Sequence, residues 1–245
     1  GLTMMLGDGR ADRSGDDTVV RKFSELRLDA LVLVGTRSPT PLVAEAATSM
    51  PTVIVASRDL ELPRADVVAN DDTAGSALAV AHLAELGHRR IAHVAGSFGA
   101  VSALRAESYR AAMASRGLNT GGLVEPCDLT EDGGYDAARR LLARTPRPTA
   151  VYAVNDIAAV GVMTACQEAG LAVPQDISIV GYDNTSIAQL RHVSLTSVDN
   201  ASATVGRRAA AAVIDRIARP TAAGTLDLIA PTLQARGSTA PPADT

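Results

Sequence analysis

The sequence predicts an α/β protein of two lobes, each built on a parallel sheet. Three observations lead there. Short, continuous apolar runs rich in Val, Ile and Leu recur at residues 2–6, 30–34, 52–56, 67–69, 91–95, 150–154 and 177–182, the composition of strands covered on both faces. Between most of them lie longer segments with helix punctuation, and such βαβ alternation implies parallel strands with right-handed crossovers. A chain of 245 residues also suits two cores of roughly 100 to 130 residues each better than one.

The elements follow in order. The runs at 2–6, 30–34, 52–56 and 67–69 read as the strands of the first lobe. Asp71 or Asp72 offers an N-cap for the next helix, in which Leu78, Ala79, Leu83 and Leu86 recur on one face until Gly87 supplies a left-handed stop. A second strand–helix series opens at Ile91. The helix after Val154 is capped by Asn155 or Asp156 and stops at Gly170, with Pro174 beyond it. Residues 205–217 carry few polar positions and read as a largely buried amphipathic helix. From Ala240 onward no periodicity remains, and a frayed tail is expected.

Composition narrows the function classes. A hydrophobic fraction of 47% with 20% charged residues is that of a folded globular chain. The net charge of −4, with Lys22 the only lysine, argues against a nucleic-acid surface on this chain, because phosphate binding wants excess cations. Cys127 and Cys166 fit neither a disulfide framework nor a metal-ligand spacing, and Cys166 reads as a small core residue. His82, His88 and His93 likewise lack ligand spacing. His82 falls on the apolar helix face, and His88 follows a helix stop where its ring can bond the last carbonyls. No metal and no cofactor are expected. No apolar run reaches the ~18 residues of a membrane span, and a cytoplasmic protein that does not begin naturally at Gly1 is the expectation.

In open parallel sheets, ligands bind beyond the carboxyl ends of the strands. The residues at those points are Ser97 and Phe98 with Arg105 in the following helix, Asn155 and Asp156, then Asp183 with Asn184 and Thr185; in the first lobe they are Asp8, Thr36 and Ser57 with Arg58. Their convergence favours Asn155 and Asp183 as ligand contacts and leaves Asp156 as a cap. Arg105 reads equally as a solvated helix residue or as a planar fork for paired hydroxyls or a carboxylate.

The stretches Val-Asn-Asp-Ile-Ala-Ala-Val-Gly at 154–161 and Gly-Leu-Ala-Val-Pro-Gln-Asp-Ile-Ser-Ile-Val-Gly-Tyr-Asp-Asn at 170–184 resemble the signature of lactose-repressor-family sensor domains. Further matches fall in the same order at 86–92, 195–198 and 231–239, so the resemblance spans nearly the whole chain. It implies a periplasmic-binding-protein-like fold of two Rossmann-like lobes joined by three crossovers. The expected N-terminal lobe is 1–87 plus about 199–225, and the C-terminal lobe 88–198 plus about 226–245. The family pattern makes Arg105, Asn155 and Asp183 effector contacts, with Ser97, Phe98, Leu129 and Asn200 around them; Asp8, Thr36 and Ser57, at the strand ends of the first lobe, are the contacts expected from that side. The implied partners are a small-molecule effector, a second copy in a homodimer, and operator DNA reached through a helix-turn-helix headpiece preceding Gly1.

Three departures from the family pattern bear on the ligand. Residues 1–6 match the family's second strand, so its opening strand and helix fall outside the sequence. Leu129 stands where an aromatic residue often stacks on a sugar or base, and Asn200 replaces a glutamine. With 2% aromatic residues and Phe98 the one apolar wall in view, a sugar or sugar derivative fits better than a flat purine. Two rival readings share some of this pattern. A solute-binding protein of a sugar uptake system has the same fold. Ala95-Gly96-Ser97-Phe98-Gly99 imitates a hydrolase nucleophile elbow, but without its first glycine or an oxyanion loop, so no enzyme activity is expected.

Overall fold

The computed structural model describes residues 3–7, 15–26, 28–35, 40–57 and 62–243. In chain order its elements are α1 (Gly15–Glu25), β1 (Leu31–Val34), α2 (Pro41–Ser49), β2 (Thr52–Val55), β3 (Asp66–Asn70), α3 (Asp72–Glu85), β4 (Ile91–Gly96), α4 (Ala100–Ala114) and β5 (Val124–Cys127). They continue with α5 (Glu131–Leu142), β6 (Ala150–Ala153), α6 (Asp156–Glu168), β7 (Ser178–Tyr182), β8 (Thr196–Asp199), α7 (Ser202–Ala218), β9 (Leu226–Ile229) and β10 (Thr232–Gln234). The chain forms two units. Unit 1 holds Gly1–Ala69 and Ala203–Leu228, and unit 2 holds Asn70–Ser202 and Ile229–Thr245. The chain therefore passes from one unit to the other three times, as expected.

Unit 1 is a four-stranded sheet in the order β1-β2-β3-β9, with β1, β2 and β3 parallel. Thr40 caps α2 by accepting from the Val43 amide at 3.2 Å, and Pro41 takes the first turn, where a missing N–H costs nothing. Val20, Leu31, Leu33, Val43 and Ile54 form the core on one face of the sheet. A buried ion pair fastens α7 to β3. Arg216 binds both carboxylate oxygens of Asp66 and also donates to the carbonyls of Ala222 and Ala223. Burial alone would raise the Asp66 pKa, but the hydrogen bonds from Arg216 and Thr225 outweigh it and hold the carboxyl below its ordinary value.

Unit 2 carries a six-stranded sheet in the order β10-β8-β7-β6-β4-β5, parallel from β5 to β8 and closed by antiparallel β10. Its two faces bury separate cores. One joins α5 and α6 to the sheet through Ala138, Leu141, Val162, Ile177 and Ile179, with Cys166 inside it as the sequence predicts. The other packs α3 and α4 against the sheet through Val80, Leu83, Tyr109, Met113, Tyr152 and Tyr182. Polar tips inside that second core are matched: Tyr109 donates to the Ile91 carbonyl at 2.7 Å, and the Tyr152 hydroxyl lies 3.0 Å from that of Ser76.

The structure departs from several expectations. Residues 3–7 form no strand, and Met4 and Leu6 are exposed. The boundary expected at Gly87 falls at Ala69, because Ala79, Val80 and Leu83 of α3 pack into the core of unit 2. The later boundaries, expected near 199 and 226, fall after Ser202 and Leu228. The tail is also anchored at its start. The Ala240 carbonyl accepts from His88 Nε2 and Ser178 Oγ, both at 2.9 Å, and its amide donates to Ser178 Oγ at 3.0 Å. His88 thus binds the tail and Thr149 Oγ1 rather than a helix terminus, and His82 Nε2 lies 2.9 Å from Thr239 Oγ1.

Candidate functional site

Because β4 to β8 of unit 2 run parallel, their carboxyl ends open on one edge of the sheet. Ser97 and Phe98 follow β4, Leu129 follows β5, Asn155 follows β6, Asp183 follows β7 and Asn200 follows β8. Arg105 projects from α4. The deepest group is its guanidinium. Nε donates to Asp72 Oδ1 at 2.8 Å, Nη1 donates to the Val154 carbonyl at 2.6 Å, and Nη2 lies 3.6 Å from Asp183 Oδ1. Its carbon sits 3.6 Å above the ring centre of Tyr182, a desolvated cation–π contact. Burial opposes the Arg105 charge, but the carboxylates of Asp183 and Asp72 more than offset it and raise its pKa. The side chain is therefore a fixed, fully charged fork and not a solvated helix residue.

Asp183 faces that fork. Its side chain keeps 30% of its exposure, and Oδ1 accepts from Asn200 Nδ2 at 3.0 Å. Burial pushes its carboxyl pKa up against the pull of Arg105. The backbone at Asp183 has φ +97° and that at Asn184 φ +48°, two successive residues in a region L side chains rarely adopt. Backbone strain of this sort costs about 1–3 kcal/mol and gathers at functional sites.

The rest of the edge is held less by charge. Asn155 does two structural tasks. Its Oδ1 caps α6 by accepting from the Ala158 amide at 2.8 Å, and its Nδ2 donates to the Leu129 carbonyl at 3.2 Å. Leu129, at φ +71°, packs on the core and over Gly96, where a Cβ would stand 2.7 Å from its Cδ2. Ser97 and Phe98 lie on an exposed loop, Phe98 at 38%. Asp156 is not a helix cap. It accepts from Ser197 Oγ at 2.6 Å and from the amide and hydroxyl of Thr185 at 2.6 and 2.8 Å, so it ties the turn after β7 to β8. In unit 1, Ser57 is buried, while Asp8, Thr36 and Arg58 lie outside the described residues.

A family model described as a periplasmic binding protein-like domain matches residues 80–239. The chain is 33% identical over 242 residues to the ribose operon repressor of Escherichia coli (strain K12), covering 97% of this chain and 73% of that protein. It also superposes on a LacI transcriptional regulator from a Rhodococcus species with a TM-score of 0.87 and 34% identity, covering 94% of this chain and 84% of that one. The chain belongs to the lactose-repressor family. Within that family, the matched region is the effector-binding domain of transcriptional repressors. A family regulator from Enterococcus faecium solved with bound ribose superposes with a TM-score of 0.80 at 26% identity, over 92% of this chain and 82% of that one.

Two members of the charged cluster escape a reading of the sequence by family pattern and strand ends. Asp72 is one. Of the two carboxylates that open α3, Asp71 alone caps the helix, accepting from the Ala74 amide at 3.0 Å, and Asp72 is left to bind Arg105. The signal was there, since one helix start needs one cap and the sequence supplies two. Tyr182, the platform under the guanidinium, reads in the sequence as an ordinary core position of a strand.

Proposed function

We propose that the chain senses a small polyhydroxylated molecule, of the size and chemistry of a pentose, and that Arg105, Asp183 and Asn200 grip it. The observation that carries this is the charged triad itself: a fixed cationic fork, a half-open carboxylate on strained backbone and an amide, within 3.6 Å of one another along the chain of contacts. Such a set offers donors and acceptors in the alternation that vicinal hydroxyls require. The kinship with a ribose operon repressor and the ribose-bound neighbour support a pentose. Ser97, Phe98, Leu129 and Asn155 form the wall of the same site.

The site binds and does not catalyse. In this reading the protein is a cytoplasmic homodimer, and its affinity for operator DNA is exerted through a helix-turn-helix headpiece. Among the described residues no helix is long and apolar enough to cross a membrane. Titration calorimetry with D-ribose, cellobiose and hypoxanthine tests the proposal. D-ribose binding is expected, and Asp183→Ala weakens it by about 1.5–3 kcal/mol, the worth of hydrogen bonds to a charged group. Binding of hypoxanthine with no response to either sugar refutes the sugar reading.

A further inference from the structure

The cluster around Arg105 reaches beyond the strand ends, because its outer members stand at the points where the chain changes units. Asn70, the first residue of unit 2, donates from Nδ2 to Asp72 Oδ1 at 2.8 Å and to the Tyr182 hydroxyl at 3.2 Å. Asp72 is buried, and its Oδ1 receives Arg105 as well. Arg105 faces Asp183, and Asp183 binds Asn200. Asn200 in turn accepts from the amide of Ser202, the first residue of α7 and the last of unit 2 before the second crossing. The third crossing is tied in through the backbone, with the Asp71 amide donating to the Ile229 carbonyl at 2.9 Å.

Asn200 is the point where this chain of bonds yields. Its Nδ2 shares Asp183 Oδ1 with Arg105, and its Oδ1 holds the start of α7. Between those two anchors Ala201 has φ +55°, with its amide pinned to Asp199 Oδ1 at 2.7 Å. A left-handed alanine costs roughly 1–2 kcal/mol, so this turn is sprung and relaxes once a bond that holds it is removed. A ligand hydroxyl that donates to Asp183 Oδ1 competes with Asn200 for the same lone pairs.

We propose that Asp72 is a positioning residue for Arg105, and that the bonds Asn70–Asp72–Arg105–Asp183–Asn200 report occupancy of Asp183 to the crossings at Asn70 and Ser202. The proposal rests on the ligand reading above for what occupies Asp183, but the bonds of the relay do not involve the ligand and can be tested without it. A ligand shifts a conformational equilibrium only by what it changes at the residues it touches, and the relay supplies that change.

The experiment is hydrogen exchange by mass spectrometry on this chain, comparing wild type with Asp72→Asn, Asp72→Glu and Asn200→Ala, first without ligand. Losing one charge-assisted bond speeds local opening by about tenfold or more. Asp72→Asn is expected to speed exchange that much at 199–203, which Asp72 does not touch, while β4 and β6 stay at wild-type rates. Asp72→Glu restores part of the protection. Once Asn200 is already alanine, adding Asp72→Asn changes 199–203 by less than about twofold, the non-additivity of members of one network. Unchanged exchange at 199–203 in Asp72→Asn overturns the relay, and so does uniform acceleration across unit 2, which marks a merely structural carboxylate. Calorimetry with D-ribose then separates the two claims. If wild type ignores D-ribose, the pentose reading fails while the exchange result still decides the relay. If wild type binds and Asp72→Asn binds equally well, Asp72 does not position Arg105.

Discussion

Replacing Gly75 by alanine puts two opposing effects in one helix. Gly75 lies on the buried face of α3, and a Cβ there would stand 2.8 Å from Cε2 and Cζ of Tyr182 and closer still to its hydroxyl oxygen. Alanine in a helix interior is favoured over glycine by about 1 kcal/mol. Against this, overpacking a filled core costs about 1–3 kcal/mol. Tyr182 cannot swing away cheaply, because it is fully buried, carries Arg105 on its ring at 3.6 Å and accepts from Asn70. Disturbing the stacked cation forfeits up to about 2 kcal/mol, and the lost hydrogen bond about 1 kcal/mol. The net expectation is a loss of about 2–4 kcal/mol, which lowers Tm by roughly 5–15 °C in a unit of this size. Tyrosine emission is the right probe. There is no tryptophan, and Tyr109, Tyr135, Tyr152 and Tyr182 all belong to unit 2. A melting curve for Gly75→Ala that matches or exceeds wild type would refute the reasoning, since propensity would then have won over packing.

Three further outcomes follow from named contacts. Arg216→Met leaves Asp66 charged and buried without its partner; a loss of about 3–5 kcal/mol should make 1–69 sensitive to limited proteolysis while tyrosine emission stays native, and equal sensitivity in wild type contradicts this. Burial, partly offset by the bond to Ala240, depresses the His88 pKa below its ordinary 6.5. The neutral ring is therefore the folded form, and its contribution is complete above pH 6.5 and fades as pH falls through the folded value. Exchange at 238–242 should accelerate in that window, and an acceleration of the same size in His88→Gln would show that another group is responsible. The raised Asp183 pKa has the opposite sense for folding, because its ionised form is the strained one and protonation on acidification relieves the fold. Ligand binding that needs the carboxylate should therefore weaken as pH falls, already above the ordinary carboxyl value of 3.8, with Asp183→Asn giving a flat profile in calorimetry.

The sheet of unit 2 was legible because its strands announce themselves by burial: β6 and β7 are covered on both faces, 150–154 is an unbroken apolar run and 177–182 is broken only by Ser178. The same signal misled at 2–6, whose described residues 3–6 form no strand. Lobe boundaries were not legible, since α3 has apolar positions enough to pack on either unit, and only its fit to Tyr152 and Tyr182 decides. At the site, strand ends and the helix after β4 pointed to Asp183 and Arg105, and the family pattern added Asn200. They did not distinguish a contact from a cap, so Asn155, which favoured ligand binding, turned out to be engaged by α6 and Leu129, and Asp156, read as a cap, is a strap. Asp72 was hidden for a related reason: two adjacent carboxylates at a helix start look redundant until one is seen turned inward.

Neither unit is a continuous stretch of chain. The strand order β1-β2-β3-β9 cannot be completed until residue 229 exists, and β10 and the Ala240 anchor of unit 2 come later still. During synthesis the ribosome therefore releases more than 200 residues of this chain before either sheet has all its strands, although domains ordinarily fold as they emerge. Severing the chain between Ala69 and Asn70 would likewise not yield a small folded piece, because the Asp66 carboxylate would be cut off from Arg216 and Thr225. The three crossings make the two units interdependent in time, since each is completed only after most of the other has been made.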